Sequence, residues 1–384
     1  MKILVLNYEY PPLGGGAGVI TQQISEGLAY LGHNITVVTT WFEKLPENEE
    51  KDNLKIIRLK SARKYTYRSN VFEMLSWIKH SKKFLAAYCC ENKLDVCLTN
   101  FSLPGGEVGF FLKKRFGIPY TVISHGHDIP WYFAKEMFFY HLLTYFRIKK
   151  ICKASAFNFL LNADMKKNAD KFLGEKDTSK NIIIPNGCDM DFFKPGQHKK
   201  SGTFKILFTG RLVQQKDPFT FLGALKQLAE KQVRFTAIIV GDGILRNDME
   251  KYVKNNFLTN NVTFKGWMTR EQILEEYQSA SVFVQTSIYE AMSVAPLEAM
   301  ACGTYVICTP AGANRDIIFE NENGDTFSTG NSSELSEKLF NFYNTKYKNG
   351  LVVSSELIDK IRTLYCWRNR IILKYQEYLG KSCR

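Results

Sequence analysis

Short apolar runs recur along the first half of the chain, at 2–6, 35–40, 54–59, 96–99, 120–124 and 156–161. Each reads as a strand, because a parallel strand covered on both faces is an almost unbroken hydrophobic run. Between them, apolar residues fall three or four apart over 19–31, 71–89, 108–116 and 131–150, which predicts helices. Alternating strands and helices make a parallel, doubly wound sheet. A further strand at 182–184 and the turn Pro185-Asn186-Gly187 end this half.

The polar stretch 194–203, Lys-Pro-Gly-Gln-His-Lys-Lys-Ser-Gly-Thr, reads as a linker. The pattern then restarts with strands at 204–209, 234–240, 262–264, 282–285 and 305–308, and helices at 219–231, 244–254 and 270–279. A second sheet of the same kind follows, giving an expected first domain over 1–195 and a second over 196–365. Two such sheets joined by a linker should enclose a cleft, with ligands beyond the carboxyl ends of the strands. The tail, 333–380, is helical in pattern, with Trp367, Ile371, Ile372, Tyr375 and Leu379 at helical spacing.

The stretch 289–307, Tyr-Glu-Ala-Met-Ser-Val-Ala-Pro-Leu-Glu-Ala-Met-Ala-Cys-Gly-Thr-Tyr-Val-Ile, lies between two predicted strands and so forms a strand-to-helix turn. Pro296 suits a first helical turn and Ser293 suits the N-cap. The free N–H groups of 292–296 then favour an anion above the sheet. Glu298 is open to two readings here: a ligand-facing carboxylate, or a first-turn acid that complements the helix dipole.

Composition narrows the class of protein. The chain has 384 residues, 45% apolar and 23% charged, which suits a soluble two-domain protein. The net charge of +13 favours acidic partners: nucleotides, phospholipid head groups or nucleic acid. Nine cysteines show no metal-binding spacing, and Cys97, Cys302 and Cys308 lie in apolar runs as small core residues of a reducing compartment. The first residues enter a strand directly instead of a signal peptide, and no apolar window is long enough to span a membrane, so a cytoplasmic location is expected.

Several strand ends carry residues suited to a phosphorylated ligand. After the first strand, Pro11-Pro12-Leu13-Gly14-Gly15-Gly16-Ala17-Gly18 leads into a helix, and its glycines allow close backbone approach. Val19 breaks a dinucleotide fingerprint, and no acidic residue closes the second strand, so the loop reads as a phosphate or sugar contact, or as a merely flexible loop, rather than an NAD site. Arg211 and Lys216, past the strand at 204–209, suit a diphosphate: a guanidinium grips oxygens in a fork and an ammonium adds a mobile charge. Gly241 and the segment Gly266-Trp267-Met268 end two further strands, either as close-approach sites for a nucleotide or as plain turns. His125 and Asp128, in Ser-His-Gly-His-Asp after the strand at 120–124, could meet a sugar or an acceptor.

Taken in order, Gly-Gly-Gly near the start, His-Gly-His-Asp, Pro-Asn-Gly-Cys-Asp, Gly-Arg-Leu-Val-Gln-Gln-Lys-Asp-Pro, Val-Gly-Asp-Gly and the two-glutamate stretch ending Glu-Ala-Met-Ala-Cys-Gly resemble the retaining glycosyltransferases of family four. The resemblance covers nearly the whole chain. It implies the GT-B fold, two Rossmann-like domains facing a central cleft, with 366–384 as a closing helix that crosses back to the first domain. It also implies a UDP- or GDP-sugar donor as substrate, with no cofactor and no metal. By the same resemblance, Arg211 and Lys216 hold the diphosphate and Glu298 the ribose hydroxyls. Glu290 and the backbone of Ala291, Met292, Ser293 and Val294 hold the transferred sugar, His125 contacts the sugar, and Gly15 and Gly16 close over the phosphates. Transfer would be front-face, the leaving diphosphate taking the acceptor proton. The chain departs from the family's common pattern at Ala291-Met292-Ser293, at Tyr305 and at Asp316, which leaves the donor sugar open.

Basic and aromatic residues crowd the first half at Arg63, Lys64, Tyr65, Tyr67, Arg68, Trp77, Lys79, Lys82 and Lys83, and again over 131–153. That mixture suits anionic lipid heads. The expected acceptor is a glycan or lipid-linked glycan, in cell-surface polysaccharide synthesis at the inner face of the membrane. A nucleotide-sugar epimerase of the same fold is the rival enzyme. A nucleic-acid- or anion-binding protein is the rival of another class, weakened by the dispersal of the basic residues.

Overall fold

The computed structural model describes residues 1–65, 69–196, 202–350 and 353–383. Tyr67, Arg68 and residues 197–201 of the expected linker lie outside the described residues. The chain divides into two compact units, the first made of Met1–Pro185 with Trp367–Arg384 and the second of Asn186–Cys366.

In unit 1 the strands are β1 (Lys2–Leu6), β2 (Asn34–Thr40), β3 (Asn48–Lys51), β4 (Leu54–Leu59), β5 (Val96–Asn100), β6 (Tyr120–Ile123), β7 (Asn158–Leu160) and β8 (Asn181–Ile183). They lie in the order β3-β4-β2-β1-β5-β6-β7-β8. All pairs are parallel except β3 with β4. The helices are α1 (Gly16–Tyr30), α2 (Val71–Glu91), α3 (Gly106–Phe116), α4 (Ala134–Ala154) and α5 (Ala163–Leu173). Local chemistry sets their ends. Asn70 and Glu73 form a capping box on α2, and Gly117 closes α3 at φ 71°. β1 alternates between two cores, with Ile3 and Val5 in one and Leu4 and Leu6 in the other.

Unit 2 has β9 (Phe204–Thr209), β10 (Phe235–Val240), β11 (Val262–Gly266), β12 (Val282–Gln285), β13 (Tyr305–Cys308) and β14 (Gly324–Thr326), in the wholly parallel order β11-β10-β9-β12-β13-β14. Its helices are α6 (Pro218–Glu230), α7 (Arg246–Asn255), α8 (Arg270–Ser279), α9 (Ala295–Ala301), α10 (Asn314–Ile317), α11 (Ser332–Phe342) and α12 (Ser355–Tyr365). Asp217 caps α6 from a left-handed conformation, φ 43°, and accepts from the Thr220 hydroxyl at 2.6 Å. The changeover at Pro185 and Asn186 comes before the 195/196 boundary expected from the linker. The reason is local: Phe193 is buried against Tyr277, Arg270 pairs with Asp189 at 2.9 Å, and Arg362 donates to the Met190 carbonyl at 2.8 Å.

The last helix, α13 (Ile372–Ser382), belongs to unit 1 and packs on α1. Trp367, Ile371, Ile372, Tyr375 and Leu379 join the core that holds Ile3 and Val5. Burial stabilises by roughly 1.5–3 kcal/mol for each large apolar side chain, so this segment completes that core. Gly27 makes room for it, since a Cβ there would sit 2.6 Å from Ile372.

Both sheets reverse their winding once, between β1 and β5 in unit 1 and between β9 and β12 in unit 2. Ligands of open α/β sheets bind beyond the strand ends at such a reversal. Gly15 and Gly16 follow β1, and Lys216 and Glu290 follow β9 and β12, at these reversals, while His125 follows β6 and Gly241 and Trp267 follow β10 and β11.

Candidate active site

In unit 2 the loops after β9 and β12 meet. Lys216, at the end of the first, places Nζ 2.5 Å from Glu290 Oε1 on the second. Both side chains are largely buried, and Ser287 Oγ donates to the same carboxylate oxygen at 3.0 Å. The two loops are also tied by main-chain contacts. Ile288 N donates to Gln215 O at 2.8 Å, and the Thr286 hydroxyl reaches the carbonyls of Lys216 and Asp217 at 2.7 and 2.8 Å. The cation and the carboxylate are therefore held in a fixed frame.

The turn from Glu290 to Val294 is held from behind. A Cβ on Gly312, φ 57°, would sit 2.2 Å from Glu290 O and 2.5 Å from Ala291 O, so only glycine lets the 312 turn approach so closely. Asn186 Nδ2 donates to Met292 O at 3.1 Å, and Gln285 Nε2 donates to Ser293 Oγ at 2.8 Å. The N–H groups of Met292, Ser293 and Val294 have no backbone acceptor among the described residues.

Glu298 lies on α9 and is half-buried. Tyr277 OH donates to its Oε2 at 3.1 Å, and Thr209 Oγ1 is 3.3 Å from the same hydroxyl. Burial pushes Glu298 up to about 7, against the opposing pull of the Tyr277 hydrogen bond and the Arg270 charge. Such a carboxyl is poised between its two forms at neutral pH.

In unit 1 the reversal between β1 and β5 carries a polar chain. Asn7 Nδ2 donates to Thr21 Oγ1 at 2.7 Å, and Thr21 Oγ1 lies 3.0 Å from Asn100 Oδ1. His125 Nε2 is 3.0 Å from the same Asn100 oxygen. Asn100 directs its amide nitrogen to Leu6 O, so its oxygen accepts and His125 carries its proton on Nε2. Burial pushes His125 down to about 4, despite the nearby Asp128, so the ring is neutral at pH 7. Phe101, with a left-handed φ of 62°, packs its ring against His125 at 4.7 Å and against Tyr8 at 5.7 Å. Strained backbone of this kind clusters at functional sites.

Two family models match successive parts of the chain: "Glycosyltransferase Family 4" over residues 14–192 and "Glycosyl transferases group 1" over 189–352. The chain is a glycosyltransferase of the GT-B fold.

An uncharacterized glycosyltransferase of Methanocaldococcus jannaschii is 25% identical over 90% of this glycosyltransferase and 89% of its own length. The Escherichia coli UDP-Gal:alpha-D-GlcNAc-diphosphoundecaprenol alpha-1,3-galactosyltransferase is 27% identical over 76% of this chain and 80% of its own. Sucrose-phosphate synthase from Thermosynechococcus elongatus shares the fold with a TM-score of 0.85, at 20% identity and 99% coverage of both chains.

The structure sorts the residues singled out in this glycosyltransferase's sequence. Lys216 and Glu290 are brought into contact. Arg211 is exposed just past β9, and Trp267 is 70% exposed after β11, with Met268 half-buried beside it. Gly241 packs on protein: a Cβ there would lie 2.0 Å from Gly210 O, and its N–H donates to Gly266 O at 2.7 Å. Its glycine is needed for the crossing of two strand-end loops. Gly15 and Gly16 are exposed at the start of α1, with open space above both, and Glu9 Oε2 accepts from Gly15 N at 3.3 Å.

Two expectations are corrected. Ser293 is not the N-cap of α9. Val294 is, without a side-chain cap bond, because the Ser293 hydroxyl is turned inward to Gln285. Asp128 is not placed to contact a sugar or an acceptor. It is 3% exposed, and its oxygens accept from His125 N at 2.9 Å, Ser102 N at 2.8 Å and Ser102 Oγ at 3.2 Å. Asp128 orients the His125 loop instead. Cys97, Cys302 and Cys308 are buried, as expected of core residues, whereas Cys90 and Cys383 are exposed.

Sequence reasoning missed Tyr277, Asn100 and Phe101. Tyr277 had no motif to mark it, and its role depends on α8 lying beside α9. Asn100 ends an apolar strand at the reversal point, a signal that was present and could have been used.

Proposed function

We propose that this glycosyltransferase moves a hexose, with retention of anomeric configuration, from a UDP- or GDP-sugar to a lipid-linked glycan acceptor in cell-surface polysaccharide synthesis. The observation that carries the reading is the Lys216–Glu290 pair at the reversal of unit 2, next to the free N–H groups of 292–294. Lys216 and Arg211 take the diphosphate, Glu290 and the turn 291–294 take the sugar, and Glu298 takes the ribose hydroxyls. The roles that the family resemblance gives to Gly15, Gly16 and His125 belong to the same proposal, as does a nucleobase contact from Trp267 and Met268.

The bond from the anomeric carbon to the diphosphate oxygen breaks while the acceptor oxygen bonds to that carbon on the same face. The acceptor's proton passes to the departing diphosphate. Charge on that diphosphate is what the protein stabilises. Lys216 is suited to this because Glu290 already fixes its position, so little reorganisation is needed when the charge develops. These cations fill the neutralising role without a metal ion, so turnover should persist in a chelator.

Similar proteins support parts of this reading. The Escherichia coli relative uses UDP-galactose and a diphosphoundecaprenol-linked acceptor. Among the described residues no helix is long and apolar enough to cross a membrane. We place the enzyme in the cytoplasm, in peripheral contact with the inner face of an anionic membrane.

Calorimetric titration with UDP-, GDP- and ADP-sugars, followed by assignment of the product anomer by NMR, tests the proposal. Saturable binding of one nucleotide-sugar and a product of the donor's own configuration are expected. An inverted product would refute retention, and failure of all the donors to bind would refute the site.

A further inference from the structure

The helix α4 has two faces of opposite kind. Inward, His141, Ile148, Ile151 and Cys152 are buried. Outward, Phe139, Leu142, Leu143 and Phe146 are 78, 56, 86 and 83% exposed. Their spacing of three, one and three residues puts them on a single stripe. Single exposed apolar side chains are ordinary, but four on adjoining turns form a patch of the kind that is covered in use.

The stripe runs into a cationic hollow. Between α3 and α4 lies an open depression of about 590 Å³, lined by Phe110, Phe146, Lys114, Lys149, Lys150 and Lys153. Three cations converge on the Phe110 ring, Lys114 at 5.0 Å, Arg147 at 5.0 Å and Lys150 at 5.9 Å from its centre. Arg147 is neutralised by Glu107 at 2.6 Å and Lys153 by Asp177 at 3.3 Å. Lys114 and Lys150 have no carboxylate partner among the described residues. Like charges gathered around one hollow call for an anion.

We infer that this face of unit 1 docks on an anionic phospholipid surface, with head-group phosphates in the lysine hollow and the α4 stripe at the acyl boundary. The inference rests on the peripheral membrane contact of the proposed function and supplies its surface. It does not depend on the donor site. A soluble anion would fill the hollow and leave the stripe in water. An anionic bilayer satisfies both, because phosphates and acyl chains are offered side by side within the reach of one helix.

A second helix of the same unit also carries exposed apolar residues. On the first turns of α2, Val71, Phe72 and Leu75 are 56, 81 and 55% exposed. Glu107 on α3 binds Lys82 of α2 and Arg147 of α4, each at 2.6 Å, so the three helices are pinned side by side. Burial raises Glu107, but the hydrogen bonds from Arg147 and Lys82 outweigh it and hold the carboxyl below its ordinary value. The pin therefore stays ionised at neutral pH.

Flotation of the full chain with vesicles of phosphatidylcholine alone, or mixed with phosphatidylglycerol, tests the inference. The wild type should float with the anionic vesicles roughly tenfold better than with the neutral ones. Lys114→Glu with Lys150→Glu should abolish that preference. Phe139→Ser with Leu143→Ser should weaken flotation on the anionic vesicles. In both variants, nucleotide-sugar binding measured by calorimetry should match the wild type, which separates a failure of this surface from a failure of the donor site. Equal flotation of the wild type on both vesicles would overturn the inference, as would retained preference in the lysine variant. Self-association that Phe139→Ser with Leu143→Ser abolishes, without flotation, would assign the stripe to a second copy and overturn it too.

Discussion

Tyr277 OH donates to Glu298 Oε2 across 3.1 Å, so a half-buried carboxyl meets a fully buried phenol. Burial has raised that carboxyl to about 7. A ribose diol brings hydroxyl donors, which favour the ionised form. Donor affinity should thus be full above pH 7 and fall as the carboxyl takes up a proton, to about tenfold weaker at pH 6 than at pH 8. Calorimetric Kd values at the two pH values check this. In Glu298→Gln binding should be weak and flat with pH, and a Kd equal to that of the wild type would contradict the ribose role.

The same carboxyl should be visible in stability, with a definite sign. Its folded value lies above the ordinary 4.5, so between those values the folded protein holds a proton that the unfolded chain has released. The wild type should lose stability as pH rises through that window, by at most about 3 kcal/mol from this group. Glu298→Gln should therefore have the higher Tm at pH 8 and a similar Tm near pH 4. Scanning calorimetry at both values decides it.

Lys216→Ala should lower kcat by about a hundredfold or more, the loss of one preorganised donor to the leaving group. It also strands Glu290, whose side chain is only 12% exposed, with Ser287 as a remaining donor. Lys216→Ala with Glu290→Gln should recover thermal stability and leave turnover low. Recovery of both would mean the lysine serves only to pair with Glu290.

His125 behaves in the opposite sense to Glu298. Burial lowers it to about 4, so the folded state keeps it neutral while the unfolded chain takes a proton below about 6.5. That contribution to stability is lost as pH falls from 6.5 towards 4. His125→Gln, which keeps a donor for Asn100, should flatten this acid limb in urea unfolding measured at pH 5 and pH 7. An unchanged limb would show that the histidine is already hydrated.

Much of the architecture could be read because buried parallel strands are continuous apolar runs, and β1, β5, β9 and β12 are of that kind. β3 (Asn-Glu-Glu-Lys) and β14 (Gly-Asp-Thr) could not, since edge strands carry polar residues that give no hydrophobic period. Helix α5 was missed although Met165, Ala169, Phe172 and Leu173 are buried along one face, because its sequence is otherwise polar and short. Lys216 and Glu290 could be singled out as candidates because they stand in loops at strand ends, and Glu298 because it lies in the first turn of the helix that follows such a loop, where ligands of this fold class bind. Tyr277 and the state of Glu298 were not, since both arise from burial between elements distant in sequence. Asp128 misled for a related reason: a short Asp-containing loop looks the same in sequence whether its carboxylate faces a ligand or its own backbone.

The discontinuity of unit 1 bears on how the protein is made. During synthesis the ribosome produces Met1–Pro185, then all of unit 2, and only afterwards the five side chains of Trp367 to Leu379 that finish the core beside β1 and α1. Unit 2 is continuous in the chain and can close as soon as it emerges. Unit 1 must wait with part of the core beside α1 uncovered, so maturation runs inward out, the inserted half first and the enclosing half last.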